Sequence, residues 1–368
     1  MSTKLAHRRE IQGLRALAVL SVITNHLFPA ALPGGFIGVD VFFLLSGFLI
    51  TQQLLELSQS LSRRDALIQF YARRIKRILP SALLVIWVTI WLSFKYLGPV
   101  IGNENLRDGG FATLFFANSH FNQLKVNYFG EGGTAPLLQH YWSLAVEEQF
   151  YILWPLVLLL IATLSKRHSR KVLISSLSLI IITSFAGSYL IEGTQIYFST
   201  QARVWELGAG ALLAICHLPK LNQSIASLAL AILIVSFFLI DQLARVPGPI
   251  LMPPLIGTTI LLQSSNKATR AILGHRVLSY LGDISFVLYL WHWPIIELHR
   301  QLSGQPLSIE SSLVLLLLIL LCAVVTHHLF ENPLRFNKFL SNHPKTTIWL
   351  GATAISASVF ATHLLMKG

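Results

Sequence analysis

Long apolar blocks separated by short polar segments run along the whole chain. A helix needs about 20 mostly apolar residues to cross a bilayer. The pattern therefore predicts an all-α integral membrane protein with ten core transmembrane helices and an eleventh, C-terminal helix. The predicted core spans are residues 14–31, 36–57, 81–97, 142–164, 172–191, 203–216, 225–243, 250–262, 280–298 and 309–330, and the eleventh is 346–366.

Composition agrees with this pattern. Hydrophobic residues make up 54% of the 368 residues, and Asp, Glu, Lys and Arg only 12%, about half the charged fraction of a soluble domain. The two cysteines, Cys216 and Cys322, lie in apolar blocks. Their position predicts neither a disulfide framework nor a cysteine metal site, and we expect no metal.

The net charge of +12 indicates an orientation in the membrane. Most of the Lys and Arg residues fall in alternate connecting segments, as the positive-inside rule requires if the N-terminus is cytoplasmic. Residues 98–141 then form one long outer segment, and the short apolar patch at 110–118 is an interfacial or re-entrant piece. Because the basic residues flank spans, we expect no nucleic-acid partner.

Ionisable residues inside a predicted span are functional candidates, since burying them in a bilayer is costly. Arg15 and His26 lie eleven residues apart in the first span, so they share one helix face, with His26 about 18 Å into the membrane. The alternative is a histidine bonded to a neighbouring helix and an arginine that snorkels inward.

A second candidate is the sequence WSLAVEEQFY (residues 142–151), which opens the fourth span from the outer side. Glu147 would lie about 7–9 Å below that surface, near the depth of His26. Two adjacent glutamates face different sides of a helix, so only one readily points at the histidine. The alternative is that both carboxylates sit at a wet interface.

The sequence FYARRIKRILP (residues 70–80) concentrates arginines on the inner side. Arg73 and Arg77 are i, i+4 neighbours, and Arg74 and Arg77 are i, i+3 neighbours. We interpret the segment as an amphipathic helix on the inner surface, with Pro80 ending it or opening the next helix. Its arginines serve either topology and anionic lipid or a phosphate site.

Further polar residues gather near the depth of His26, including Asp40 in the second span and His292 in the ninth. An acid/base site in the outer half and a phosphate clamp on the inner face together favour a long phosphate-bearing donor such as acyl-CoA. The candidates for substrate contact or for supporting the site are Asp40, Trp142, Ser143, Tyr289 and His292.

These residues resemble the acyltransferase-3 family of bacterial integral-membrane O-acyltransferases. The resemblance covers roughly residues 9–335, which we take as one transmembrane domain followed by an inner linker loop (336–345) and an eleventh helix (346–368) that acts as a tether or anchor. The matching motifs are IQGLRA (11–16), GFIGVDVFF (35–43), SGFLI (46–50), FYARRIKRILP (70–80), WSLAVEEQFY (142–151), YLWH (289–292) and ENPLR (331–335).

The resemblance implies transfer of an acyl group, usually acetyl, from cytoplasmic acetyl-CoA to a hydroxyl of an envelope glycan such as lipopolysaccharide O-antigen, at the bacterial inner membrane. It implies that His26 is the essential histidine, with Arg15 paired to it, and Glu147 the acidic residue. Arg73, Arg74 and Arg77 are the implied donor contacts. Some members carry an outer hydrolase-like domain after the eleventh helix, which makes such a domain an expected partner.

The mechanism expected from these roles has His26 act as general base on the acceptor hydroxyl, oriented by a carboxylate such as Glu147. A covalent acyl-histidine and direct transfer both remain open. The main alternative function is a proton-coupled transporter or flippase of a glycan lipid, in which the buried groups form a proton relay. A structural scaffold would leave His26 and Glu147 without a purpose.

Overall fold

The computed structural model describes residues 8–128, 135–164, 169–190, 194–216, 223–264 and 266–367. Within these ranges every regular element is a helix, and there is no β-strand. The α-helices are α1 (Arg9–Leu27), α2 (Gly38–Ser60), α3 (Arg63–Thr113), α4 (Ala117–Gln123), α5 (Tyr141–Leu164), α6 (Ser169–Leu190), α7 (Thr200–Ile215), α8 (Gln223–Leu239), α9 (Met252–Gln263), α10 (Lys267–Leu273), α11 (Arg276–Asp283), α12 (Ser285–Ser303), α13 (Ile309–Thr326), α14 (Asn332–Arg335), α15 (Lys338–Asn342) and α16 (Pro344–Leu365).

The helices confirm an all-α membrane protein. Each of the eleven predicted spans overlaps at least one of them. Within the described ranges, six helical segments are long and apolar enough to cross a membrane, and two shorter ones, Ser224–Leu239 and Pro249–Gln263, are also apolar. The count of ten plus one and the cytoplasmic N-terminus stay predictions.

Helix α3 differs from the expectation. It contains 51 residues and runs through Pro80, so residues 70–80 and the predicted third span form one continuous helix. Ser62 caps its start by accepting a hydrogen bond from the Asp65 amide. Gly98 breaks the helical geometry with φ 84° and ψ 176°, dihedrals that glycine adopts without a Cβ clash. The predicted patch at 110–118 divides between the end of α3 and the start of α4.

The chain divides into two compact units. The first comprises Met1–Glu56 and Gln149–Ser285, and the second comprises Leu57–Glu148 and Phe286–Gly368. The division falls within α2 and α5 and after the first residue of α12.

Glycines bring the helices of the first unit into close contact. A Cβ on Gly47 would lie 1.8 Å from the Leu207 carbonyl oxygen, and one on Gly210 would lie 2.0 Å from the Leu44 carbonyl oxygen. Helices α2 and α7 therefore touch through their backbones, as the Ser46-Gly47 pair suggests. Gly13 and Gly282 similarly let α1 approach its neighbours.

In the second unit, α16 packs along α3. The Trp87 indole donates to Ser358 Oγ at 3.0 Å, and a Cβ on Gly351 would meet the Ile75 side chain at 2.6 Å. The segment expected as a linker loop at 336–345 contains α15. The anchoring role of the last helix stays a prediction.

Candidate active site

Arg15 and His26 lie on α1, an uninterrupted helix of the first unit. Eleven residues correspond to about three turns and about 16 Å of helix axis, so the two share one face, as predicted. Arg15 is buried, with Nη1 donating to Gln12 Oε1 at 3.1 Å. His26 is half-buried in the last turn.

The turn after His26 is held by neighbouring polar side chains. The Asn25 amide donates to the carbonyl oxygens of Leu32 and Pro33, both at 3.0 Å, and Ser21 Oγ donates to the Gly35 carbonyl at 3.0 Å. These bonds satisfy loop carbonyls that would otherwise be buried without partners. They fix the end of α1, and with it the backbone that carries His26.

Asp40 belongs to a buried charge cluster in the first unit. Arg203 Nη1 donates to Asp40 Oδ1 and lies 3.3 Å from Glu206 Oε1. Its Nε donates to the Tyr197 carbonyl at 3.2 Å, and the guanidinium lies over the Tyr197 ring. The sequence interpretation missed Arg203 and Glu206, although an arginine at the start of a predicted span was a visible signal.

Arg74 pairs with Glu148 in the second unit. Its Nη2 donates to Glu148 Oε1 at 2.9 Å, and both side chains are about one-tenth exposed. Arg77 also interacts electrostatically with Glu148. Arg77 is half-buried and Arg73 is exposed. The three arginines expected to act together therefore have different surroundings.

This pair corrects the predicted depths. Arg74 was placed on the inner face and the 147–148 glutamates in the outer half, yet Arg74 and Glu148 touch. Lys76 Nζ donates to Ser341 Oγ at 2.7 Å, which keeps the arginine segment beside the predicted inner linker. Arg74 and Glu148 therefore cannot lie at opposite sides of the membrane, as the two separate depth estimates placed them.

Glu147 lies beside a different group of residues. It is half-buried and interacts electrostatically with Tyr289. Glu147 belongs to the second unit and His26 to the first, so the orientation of His26 by Glu147 stays a prediction.

Three candidates, Ser143, Tyr289 and His292, meet in the second unit. Ser143 Oγ and the Tyr289 hydroxyl are 2.7 Å apart, and the hydroxyl donates to the His140 carbonyl at 3.1 Å. His292 Nδ1 donates to the Tyr289 carbonyl at 2.5 Å. We call His140, Ser143, Tyr289 and His292 the hydroxyl–histidine cluster.

His140 is a member of this cluster that the sequence interpretation missed. Its Nε2 donates to the Leu290 carbonyl at 3.0 Å, and its ring lies 5.7 Å from that of His292. Because carbonyls only accept, His140 Nε2 and His292 Nδ1 carry the protons of these two hydrogen bonds. When an imidazole is neutral, its other ring nitrogen is an acceptor. Trp142 is fully buried nearby, with its ring 6.1 Å from that of Tyr128.

The arrangement offers acid/base groups and cationic groups but, within the described residues, no group of three or more potential metal-binding side chains. His26 and the hydroxyl–histidine cluster can accept or pass a proton. Among the three arginines, Arg73 is exposed, Arg77 is half-buried and Arg74 is engaged by Glu148.

Comparisons with known proteins identify a family and several relatives. A family described as "Acyltransferase domain" matches residues 8–328. The putative peptidoglycan O-acetyltransferase YrhL of Bacillus subtilis is 33% identical, over 100% of this chain and 63% of its own length. The peptidoglycan O-acetyltransferase OatA of Listeria monocytogenes is 31% identical, over 90% and 56%.

The O-acetyltransferase OatA of Staphylococcus aureus is 32% identical, over 89% of this chain and 57% of its own. The chain thus spans about three-fifths of the length of these relatives. No solved structure matches.

Proposed function

Because the chain belongs to the membrane acyltransferase family whose model matches residues 8–328, we propose that it O-acetylates a cell-envelope glycan. The structural observation that supports the proposal is that a buried arginine, Arg15, and a half-buried histidine, His26, share one face of α1. Placing a histidine inside an apolar bundle costs free energy, so its presence there indicates a function. Proton transfer is the function to which an imidazole is best suited.

The reaction proposed is ester formation. The acceptor hydroxyl oxygen attacks the thioester carbonyl of acetyl-CoA, a C–O bond forms and the C–S bond breaks. His26 takes the hydroxyl proton and returns it to the departing thiolate. In the two-step alternative the acetyl group rests on His26 before the hydroxyl attacks. Glu147 is the carboxylate proposed to orient the imidazole, and Arg15 supports it from the same helix face.

The donor is proposed to bind through its phosphates at α3. Arg73 and Arg77 are one helical turn apart, and guanidinium groups match phosphate oxygens in charge and geometry. Arg74 contributes by position, because its ion pair with Glu148 fixes this stretch of α3 against the start of α5.

Peptidoglycan is the acceptor that the relatives favour. Two of the relatives described above are named as peptidoglycan O-acetyltransferases, whereas none of the three is named for lipopolysaccharide O-antigen. We therefore propose a peptidoglycan hydroxyl as acceptor in place of the O-antigen expected from sequence. The proposed location is the bacterial inner membrane, with a hydrolase-like domain or partner protein as a further participant.

The test uses the purified full chain in proteoliposomes with labelled acetyl-CoA and peptidoglycan glycan strands. We expect label to move to the glycan, and His26→Ala to reduce the rate at least about 100-fold, the lower range for loss of a general base. The matched control is His363→Ala, since His363 is exposed on α16. Full turnover by His26→Ala would remove its role, and proton-driven glycan flux without acetyl-CoA would favour a transporter.

A further inference from the structure

A cavity of about 220 Å³ lies within the second unit, beside the part of α3 that follows Gly98. This volume is below the range of about 300–1,000 Å³ that is typical of pockets for drug-sized ligands. It suits one small polar group such as a single sugar ring. The polar residues that line it are Glu104, Asn105, Arg107, Asp108 and Gln301.

Asn105 provides the observation that points to a ligand. The residue is 3% exposed, and its Nδ2 donates to the Ile101 carbonyl at 2.9 Å. Its Oδ1 is buried and has no hydrogen-bond partner within the described protein. Buried polar atoms are nearly always satisfied. Because Asn105 lines the cavity, its unsatisfied amide oxygen indicates a donor supplied by a bound molecule.

Asp108 is held in the same wall by His120. Its Oδ1 accepts from His120 Nε2 at 2.8 Å, and the His120 ring stacks on Phe111 with centroids 4.1 Å apart. Glu104 and Arg107 are exposed on the same stretch of helix. Oxygen acceptors therefore dominate the lining, which matches a ligand rich in hydroxyl and amide donors. The positive charge of Arg107 disfavours a metal cation.

The segment that lines the cavity continues to the residues of the hydroxyl–histidine cluster. Gln301 Nε2 donates to the Ala135 carbonyl at 2.9 Å, and the Trp293 indole donates to the Pro136 carbonyl at 2.9 Å. His140 follows four residues after Pro136, and Trp293 follows His292 directly. A molecule in the cavity thus lies against the same segment that carries the cluster.

We propose that this cavity seats one sugar ring of the acceptor glycan, with ring hydroxyl or acetamido N–H groups donating to Asn105 and to the carboxylates beside it. The role of this site as an acceptor site rests on the proposed glycan acetylation. Sugar binding is measured separately from acetyl transfer, so the sugar site and the proposed function can be contradicted independently.

The experiment compares Asn105→Leu with Asn103→Leu, a matched control because Asn103 is exposed on the same helix. The probe is the N-acetylglucosamine tetrasaccharide, with affinity measured by calorimetry on the full chain in detergent. We expect binding to weaken about 2–10-fold for Asn105→Leu, the equivalent of one hydrogen bond, and to be unchanged for Asn103→Leu. Equal affinities for both variants, or no binding by the unmodified protein, would overturn the proposal.

A kinetic arm separates this site from the chemistry. In the transfer assay, Asn105→Leu raises the KM for glycan while acetyl-CoA hydrolysis without glycan stays unchanged. If Asn105→Leu does not fold, Glu104→Gln on the exposed rim replaces it, with a smaller rise expected. Sugar binding without any acetyl transfer would contradict the proposed function but leave the cavity as a sugar site. Magnesium binding that Asn105→Leu abolishes would contradict the sugar site.

Discussion

The Arg74 guanidinium donates to the Glu148 carboxylate across 2.9 Å, with both side chains about nine-tenths buried. Removing one partner of a buried ion pair destabilises a protein strongly, because the remaining charge is left alone in an apolar interior. The pair joins α3 to the start of α5, so it fixes the stretch that presents Arg73 and Arg77. Its role is thus to position the proposed donor site.

Replacing one partner of this ion pair should destabilise the protein more than replacing both partners with apolar residues. We expect Glu148→Leu to destabilise the second unit by about 3–5 kcal/mol, since it leaves a buried cation. The double variant Arg74→Met with Glu148→Leu should recover much of that loss. The measurement is the apparent Tm in detergent, with Arg64→Met as an exposed control on the same helix. Purely additive Tm changes would show that the pair does not couple the two helices.

The buried cluster around Arg203 predicts an asymmetry. It holds one guanidinium and two carboxylates, Asp40 and Glu206. Glu206→Gln should be tolerated, because it leaves a one-to-one pair. Arg203→Met should lower the Tm strongly, because two carboxylates then remain close together in an apolar interior. Comparable Tm losses for both variants would argue that the cluster is not held by charge balance.

The donor contacts predict a split between kinetic constants. Arg77→Glu reverses a charge that would meet phosphate, so we expect the KM for acetyl-CoA to rise about 10-fold or more. The KM for glycan should not change. Arg64→Glu is the matched control, because Arg64 is exposed on the same helix, about two and a half turns before Arg73 and three and a half turns before Arg77. If both reversals shift the acetyl-CoA KM equally, the effect is general electrostatic attraction and the donor site lies elsewhere.

The sequence predicted where the helices lie more successfully than which side chains meet. Apolar blocks place the spans because length and hydropathy are local properties. Which of the two glutamates, Glu147 or Glu148, forms a buried ion pair cannot be read from local sequence. The two are adjacent and differ by about 100° around the helix, and only the packing against α3 shows that Glu148 pairs with Arg74.

Depth estimates failed for a related reason. They treated each span separately, whereas the Arg74–Glu148 contact joins two segments that were assigned to opposite sides of the membrane. Arg203 and His140 were missed because their partners, Asp40 and Leu290, are remote in sequence. The Arg15–His26 face was predictable because a single helix carries both residues.

Close backbone contact between α2 and α7 gives a final prediction about the first unit. A Cβ on Gly47 would lie 1.8 Å from the Leu207 carbonyl oxygen, and a backbone atom cannot move aside as a flexible side chain does. Gly47→Ala should therefore separate the helices and lower the apparent Tm. Asp40 on α2 and Arg203 on α7 lie on these same two helices, so the buried ion pair should be disturbed as well.

Gly187→Ala provides the control for this prediction. Gly187 lies in α6, and no atom is within 4 Å of a Cβ built on it. Alanine is favoured over glycine in a helix by about 0.5–1 kcal/mol, so this variant should keep or slightly raise the Tm. A Gly47→Ala protein as stable as Gly187→Ala would mean that α2 and α7 can separate freely. The ion pair between Asp40 and Arg203 would then not depend on the close approach of α2 and α7.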